Sequence, residues 1–149
     1  MDSRPQSNLL IAAPSHLPKK PVGVEVGAGA YTDIISISGP SEVAEGEWVN
    51  LDVAVKNTWT SSFYITITGS YDGTDIYPSI DYLTIQPGET LHFYFAFKMP
   101  NRDIRVDFWS WFWATDDWYQ DDSQAVTVKL KQPQSPEFAS FGITEYNKI

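Results

Sequence analysis

The chain has 149 residues, 42% of them hydrophobic, and a formal charge of −9. This suits one domain with spare sequence at its ends. Residues 32 to 131 hold fifteen acidic side chains against six basic ones, which argues against nucleic acid as a partner, because neutralising phosphates needs clustered Lys and Arg. Cysteine is absent, so disulfides, thiolate metal sites and thiol nucleophiles are excluded and the redox compartment stays open.

Residues 1 to 31 carry prolines at 5, 14, 18 and 21 and glycines at 23, 27 and 29, which interrupt any regular element and predict an extended N-terminal arm. Its "NLLIAA" (8 to 13) is far shorter than the roughly 20 apolar residues of a membrane-spanning helix and makes a poor signal peptide. No membrane partner is expected. From residue 32 to 131, apolar and polar positions alternate in short bursts bounded by Gly, Pro, Asn and Asp, the pattern of half-buried strands. "TDIISIS" (32 to 38) begins the sheet and "GPSEVAEGE" (39 to 47) reads as a turn. "WVNLDVAVKN" (48 to 57) places Val49, Leu51, Val53 and Val55 on a core face.

"FYITITGSY" (63 to 71) offers Phe63, Ile65 and Ile67 inward, and "DGT" (72 to 74) turns on Gly73. After "DYLTI" (81 to 85), "QPGE" fits a type II turn, with Pro87 fixing φ and Gly88 taking the left-handed position. "TLHFYFAFKM" then buries Leu91, Phe93, Phe95 and Phe97. Residues 132 to 149 open with two prolines and read as a C-terminal tail. With no sustained helical period, about seven strands predict an all-β fold: a single antiparallel immunoglobulin-like β-sandwich with extended N- and C-terminal arms.

"SGPSEVAEGEWVNLDVAVKNT" followed by "LTIQPGETLHFYF" resembles the CARDB family of bacterial and archaeal cell-adhesion-related immunoglobulin-like domains. In that family a Gly-Glu turn precedes a Val-x-Val-x-Asn strand, and a Pro-Gly-Glu turn starts a later one. The resemblance covers residues 32 to 131 and implies a spacer, adhesive or assembly module rather than a catalyst; similar sandwiches occur on phage and virus particles. The departure is "RVDFWSWFWATDDWYQDD" (105 to 122), which holds four of the six tryptophans where the family has a sparsely aromatic strand pair.

Alternation puts Ile104, Val106, Phe108, Ser110 and Phe112 on the core face and Arg105, Asp107, Trp109, Trp111 and Trp113 on the other, a stripe emerging from a polar surface. In "SQAVTVKL" (123 to 130), Val126, Val128 and Leu130 face the core. Three readings compete for the stripe: structural residues covered by the chain's own N-terminal arm, a protein interface, or a carbohydrate platform to which Trp118, Tyr119, Gln120 and Asp121 add polar groups. Asp116, Asp117, Asp121 and Asp122 invite a calcium site, but no EF-hand spacing is present and acidic hairpin tips are ordinarily solvated, so no metal is assigned. His16 and His92 lack a visible nucleophile and orienting acid, and "GVEVGAG" lacks the context of a phosphate loop. No catalytic or cofactor residue is assigned.

The expectation is a non-enzymatic structural or assembly protein, an accessory or minor component of a virus or phage particle and so located in the virion. Its partners are expected to be proteins, including copies of itself. Interface candidates are Trp109, Trp111, Trp113, Trp118 and Tyr119 on the hairpin, Leu9, Leu10 and Ile11 in the arm, and Phe138 and Phe141 in the tail. The alternative is an extracellular carbohydrate-binding or adhesion module using the Trp-rich hairpin.

Overall fold

The computed structural model describes residues 13 to 18 and 29 to 133. The interface candidates Leu9, Leu10, Ile11, Phe138 and Phe141 lie outside the described residues. Nine strands follow one another without a helix among the described residues: β1 Thr32–Ser38, β2 Glu42–Ala44, β3 Trp48–Asn57, β4 Phe63–Tyr71, β5 Thr74–Ile76, β6 Leu83–Ile85, β7 Thr90–Lys98, β8 Ile104–Ala114 and β9 Asp117–Lys131. They form a three-stranded sheet in the order β1-β3-β7 and a larger one in the order β2-β9-β8-β4-β5, with β6 also pairing β4. Only β2 pairs in parallel, aligning Val43 with Leu130 of β9. The segment expected to be a turn at 39 to 47 thus contains a strand, because the chain leaves β1 and crosses there to the other sheet. Two facing sheets sharing the chain's first strands in this way make an immunoglobulin-like sandwich.

The core follows the alternation. Val49, Val53, Val55 and Phe93 of one sheet and Ile65, Ile67, Val106, Phe108 and Val128 of the other are essentially inaccessible. Phe95 and Phe108 meet across the sandwich with ring centroids 4.8 Å apart. Both expected glycine turns form, with φ of 79° at Gly73 and 80° at Gly88. Asn57, at the end of the Val-x-Val-x-Asn run, is buried. Its amide donates to the carbonyls of Ser61 and Ile85 and accepts from the N–H of Trp59, while its backbone N–H and carbonyl bond to Glu89 and Gly88. Asn57 therefore joins the loop after β3 to the end of β6 through its side chain, and to the loop before β7 through its backbone.

Gly69 of β4 lies against the core ring of Phe108: a Cβ there would sit 2.8 Å from Phe108 Cε1 and 2.9 Å from Ile76 Cγ1. Neither neighbour is a flexible side-chain end. Gly69→Ala is expected to cost about 1–3 kcal/mol by overpacking, and Phe108→Ala about 3–5 kcal/mol by opening a cavity. Urea denaturation measures both, and near-neutral values for both would contradict this packing.

Candidate functional site

The register between β8 and β9 shifts once, between Trp109↔Ser123 and Trp111↔Gln120. Two residues of β9, Asp121 and Asp122, therefore stand opposite Ser110 alone: a β-bulge. Neighbours on a regular strand face opposite ways, but the extra residue lets both carboxylates serve the same neighbour, β1. Asp121 accepts from the backbone N–H groups of Ala30 (3.0 Å), Tyr31 (3.2 Å) and Thr32 (2.6 Å) and from the Thr32 hydroxyl (2.5 Å). Asp122 accepts from Ile34 N–H at 2.8 Å and from Ser123 N–H at 2.9 Å, and its own N–H donates to Ser110 Oγ. Ser110 and Thr32 hydroxyls meet at 2.7 Å.

This network is buried and corrects the expectation of a solvated acidic tip. Asp121 and Asp122 face inward, spent on backbone donors, whereas Asp116 and Asp117 remain exposed at the hairpin turn. Among the described residues no group of three or more His, Cys, Asp or Glu side chains is arranged to hold a metal ion. Burial raises the Asp122 carboxyl above its ordinary range, opposed by the Ile34 and Ser123 N–H groups and reinforced by Asp33 and Asp121.

On the opposite face of β8, Trp109, Trp111 and Trp113 line up as the alternation predicts, but they do not form an open stripe. Trp111 and Trp113 are 6% and 2% exposed, and Trp118 of β9 is 6% exposed. With Trp109, Tyr64 and Tyr82 packed against them, they build a second apolar cluster outside the main core. Part of its floor is β4, where Thr66 and Thr68 pair with Trp111 and Trp109. The Trp111 indole N–H donates to Thr68 Oγ1 at 2.8 Å, which satisfies its one polar group.

Part of its cover is the N-terminal segment. His16 sets its ring edge-on to Trp113 at 5.3 Å, and its carbonyl accepts the Trp118 indole N–H at 2.5 Å. Its Nε2 lies 3.2 Å from Asp117 Oδ1. The Trp118 N–H, and then His16, hold the Asp117 carboxyl below its ordinary value. Pro18 is buried. A concavity of about 560 Å³ remains beside this strap, lined by His16, Leu17, Pro18, Trp111, Asp117 and Trp118. Tyr119, the last hairpin candidate, points the other way and is 50% exposed, stacked on Phe112.

A second concavity of about 360 Å³ lies on the outer face of the three-stranded sheet, where the 77–80 loop rises beside β7. The loop is tied there by Ser79 N–H to the Tyr94 carbonyl. Asn50 and Asp52 of β3 lie across from Ala96 and Tyr94 of β7, and the small Ala96 leaves the space. Tyr77 and Tyr94 flank it about half exposed. His92 stacks on Tyr94 and bonds Asp52 at 2.8 Å. Alternation had marked these as outward positions, but the overhanging loop joins residues too far apart in the chain for any local pattern to link.

No family model matches the chain, and no curated protein matches it in sequence. Among solved structures it is similar to a CARDB domain from Pyrococcus furiosus determined in complex with di-metal ions, with a TM-score of 0.53 at 14% identity over 76% of this chain and 100% of that one. The fold is CARDB-like. Native α2-macroglobulin from Escherichia coli aligns with a TM-score of 0.52 at 13% identity, over 70% of this chain and 17% of that one. At these identities the likeness is one of fold.

The two aspartates differ in their expected response to substitution. Asp121→Ala strands the three backbone donors of Ala30, Tyr31 and Thr32 and is expected to cost on the order of 3 kcal/mol or more. Asp122 binds its proton more tightly folded than unfolded, so its contribution to stability is greatest below the unfolded pKa near 4 and declines as pH rises through the raised folded value. Asp122→Asn keeps an acceptor for Ile34 and removes that decline. Denaturation at a series of pH values should therefore show the Asn variant gaining on the natural chain from about pH 4 upward; parallel curves would contradict the assignment.

Proposed function

We propose that this chain is a non-enzymatic assembly module, an accessory or minor structural protein of a virus or phage particle held by its terminal arms. The observation that carries the reading is the seat of His16, Leu17 and Pro18 on the tryptophan face. Aromatic-lined grooves suit proline-containing segments, which lose little conformational freedom on docking. Each such joint is weak, since fully burying an apolar side chain contributes at most about 1.5–3 kcal/mol before ordering costs. A symmetric particle repeats the joint many times and so gains strength through effective concentration. The CARDB-like fold supports a module of this kind.

Removing residues 1 to 28 preserves the Asp121 anchorage of Ala30 and Tyr31. The truncated chain is expected to stay folded and monomeric in sedimentation velocity, with red-shifted tryptophan emission, while the full chain forms larger species as concentration rises. Unfolding on truncation, or unchanged association, would defeat the reading.

The concavity between Tyr77 and Tyr94 favours a second reading, a carbohydrate-binding module that uses this face rather than the tryptophan hairpin. Its rings offer stacking surface beside the Asn50 amide and the Ser38 and Ser79 hydroxyls. Its volume of about 360 Å³ falls in the usual small-molecule range of roughly 300–1,000 Å³. Titration with glucose, galactose and N-acetylglucosamine should then shift the Asn50 side-chain and Ser79 amide resonances, and Tyr94→Ala should abolish the shifts. Silence at these positions with all three sugars removes this reading.

A further inference from the structure

The N-terminal segment has a fixed root and a docked strap, joined by a known number of residues. Its root is the Asp121 clamp. A Cβ on Gly29 would lie 2.2 Å from Asp121 Oδ2 and 2.3 Å from the Thr32 carbonyl oxygen, so only glycine lets the chain enter at this spot. The strap docks three to four residues away along the same strand, at Asp117 and Trp118. At the strand rise of roughly 3.3 Å per residue, that separation is on the order of 10 Å. Ten residues, 19 to 28, join the strap to the root, and ten residues can reach roughly 33–36 Å. The root lies on the core side of the sheet and the strap on its outer face, so the connection must also pass around the hairpin end. Ten residues are enough for that path or for one to a neighbouring copy.

The groove, for its part, is only part-filled. The space of about 560 Å³ beside the strap is lined by the same indoles that the strap covers, and Leu17 remains 37% exposed. Lifting the strap would uncover a cluster built on Trp111, Trp113 and Trp118, an apolar face that needs a cover.

We propose that residues 13 to 18 exchange between copies: the strap of one chain docks in the Trp111–Trp113–Trp118 groove of its neighbour while its root stays clamped on its own Asp121. This rests on the assembly reading above and names the joint. The exchanged and closed forms make the same contacts, so local concentration decides between them. A short tether presents its own strap at an effective concentration on the order of millimolar. Dilute chains therefore close on themselves, and chains packed at comparable density exchange.

The chain's lack of cysteine makes the test direct. His16→Cys and Asp117→Cys alter exposed side chains whose ends lie 3.2 Å apart. In one doubly substituted chain kept dilute, a short bis-maleimide is expected to link the two thiols within the monomer. Two singly substituted chains, one carrying each thiol, are then mixed at near-millimolar concentration. Cross-linked dimer should form at least tenfold faster than when Asp117→Cys is replaced by Lys56→Cys, an exposed control on the other sheet. Closure of the double variant with no excess over that control overturns exchange and leaves the assembly reading standing. Failure of the double variant to close overturns both.

Discussion

The sandwich depends on how one strand edge is satisfied. β1 pairs with β3 on one side, and on the other the N–H groups of Thr32 and Ile34 lie buried beside β9, where no backbone ladder meets them. Buried donors of this kind must find partners. The β9 bulge supplies them by turning two consecutive carboxylates toward β1, so that Asp121 and Asp122 replace a ladder with side-chain acceptors. Charge-assisted bonds of this sort are stronger than neutral ones, and they also fix direction. The chain upstream of Thr32 is pinned at Ala30 and Tyr31, so the N-terminal segment leaves the sandwich at the middle of β9, within reach of the tryptophan face.

That face resolves a conflict between sheet geometry and composition. The outward side of β4 carries Thr66 and Thr68, good strand formers with polar tips, and the facing positions of β8 carry indoles. Rings laid over threonines make a second apolar layer while the Trp111 N–H still finds the Thr68 hydroxyl. Such a layer has no third sheet to cover it. Tyr64, Tyr82 and the His16–Pro18 strap do so instead, which makes the strap part of the protein's packing.

Alternation made the core legible because the inward positions of β3, β7 and β8 hold a strict period of two, and the Gly73 and Gly88 turns require glycine for steric reasons. The bulge does leave a trace in the order of residues along β9. Trp118 pairs with Trp113 on the outer face, so even-numbered residues of β9 face outward there, yet Val126 and Val128, also even, face the core. One extra residue between them is the only way to keep both patterns, and the interval contains Asp121 and Asp122. Cover by the N-terminal arm was one of the three readings of the stripe, but which residues would dock left no such trace, since His16 and Asp117 are separated by 101 positions and no local period links them. β2 escaped notice because three residues are too few to show alternation.

Charge limits how copies of this domain can meet. Between residues 32 and 131 the acidic excess is nine, fifteen against six, and like-charged bodies repel over roughly a Debye length, about 8–10 Å at physiological salt. The N-terminal 31 residues are nearly neutral, with Arg4, Lys19 and Lys20 against Asp2 and Glu25. Face-to-face packing of two acidic sandwiches would have to overcome the repulsion over a broad area, to which the nearly neutral N-terminal residues add little. Lys19 and Lys20 follow Pro18 directly in the sequence, so both of the positive charges nearest the strap in the chain lie immediately after it. The chain's charge distribution thus concentrates the repulsion on the sandwich and leaves the N-terminal residues nearly neutral.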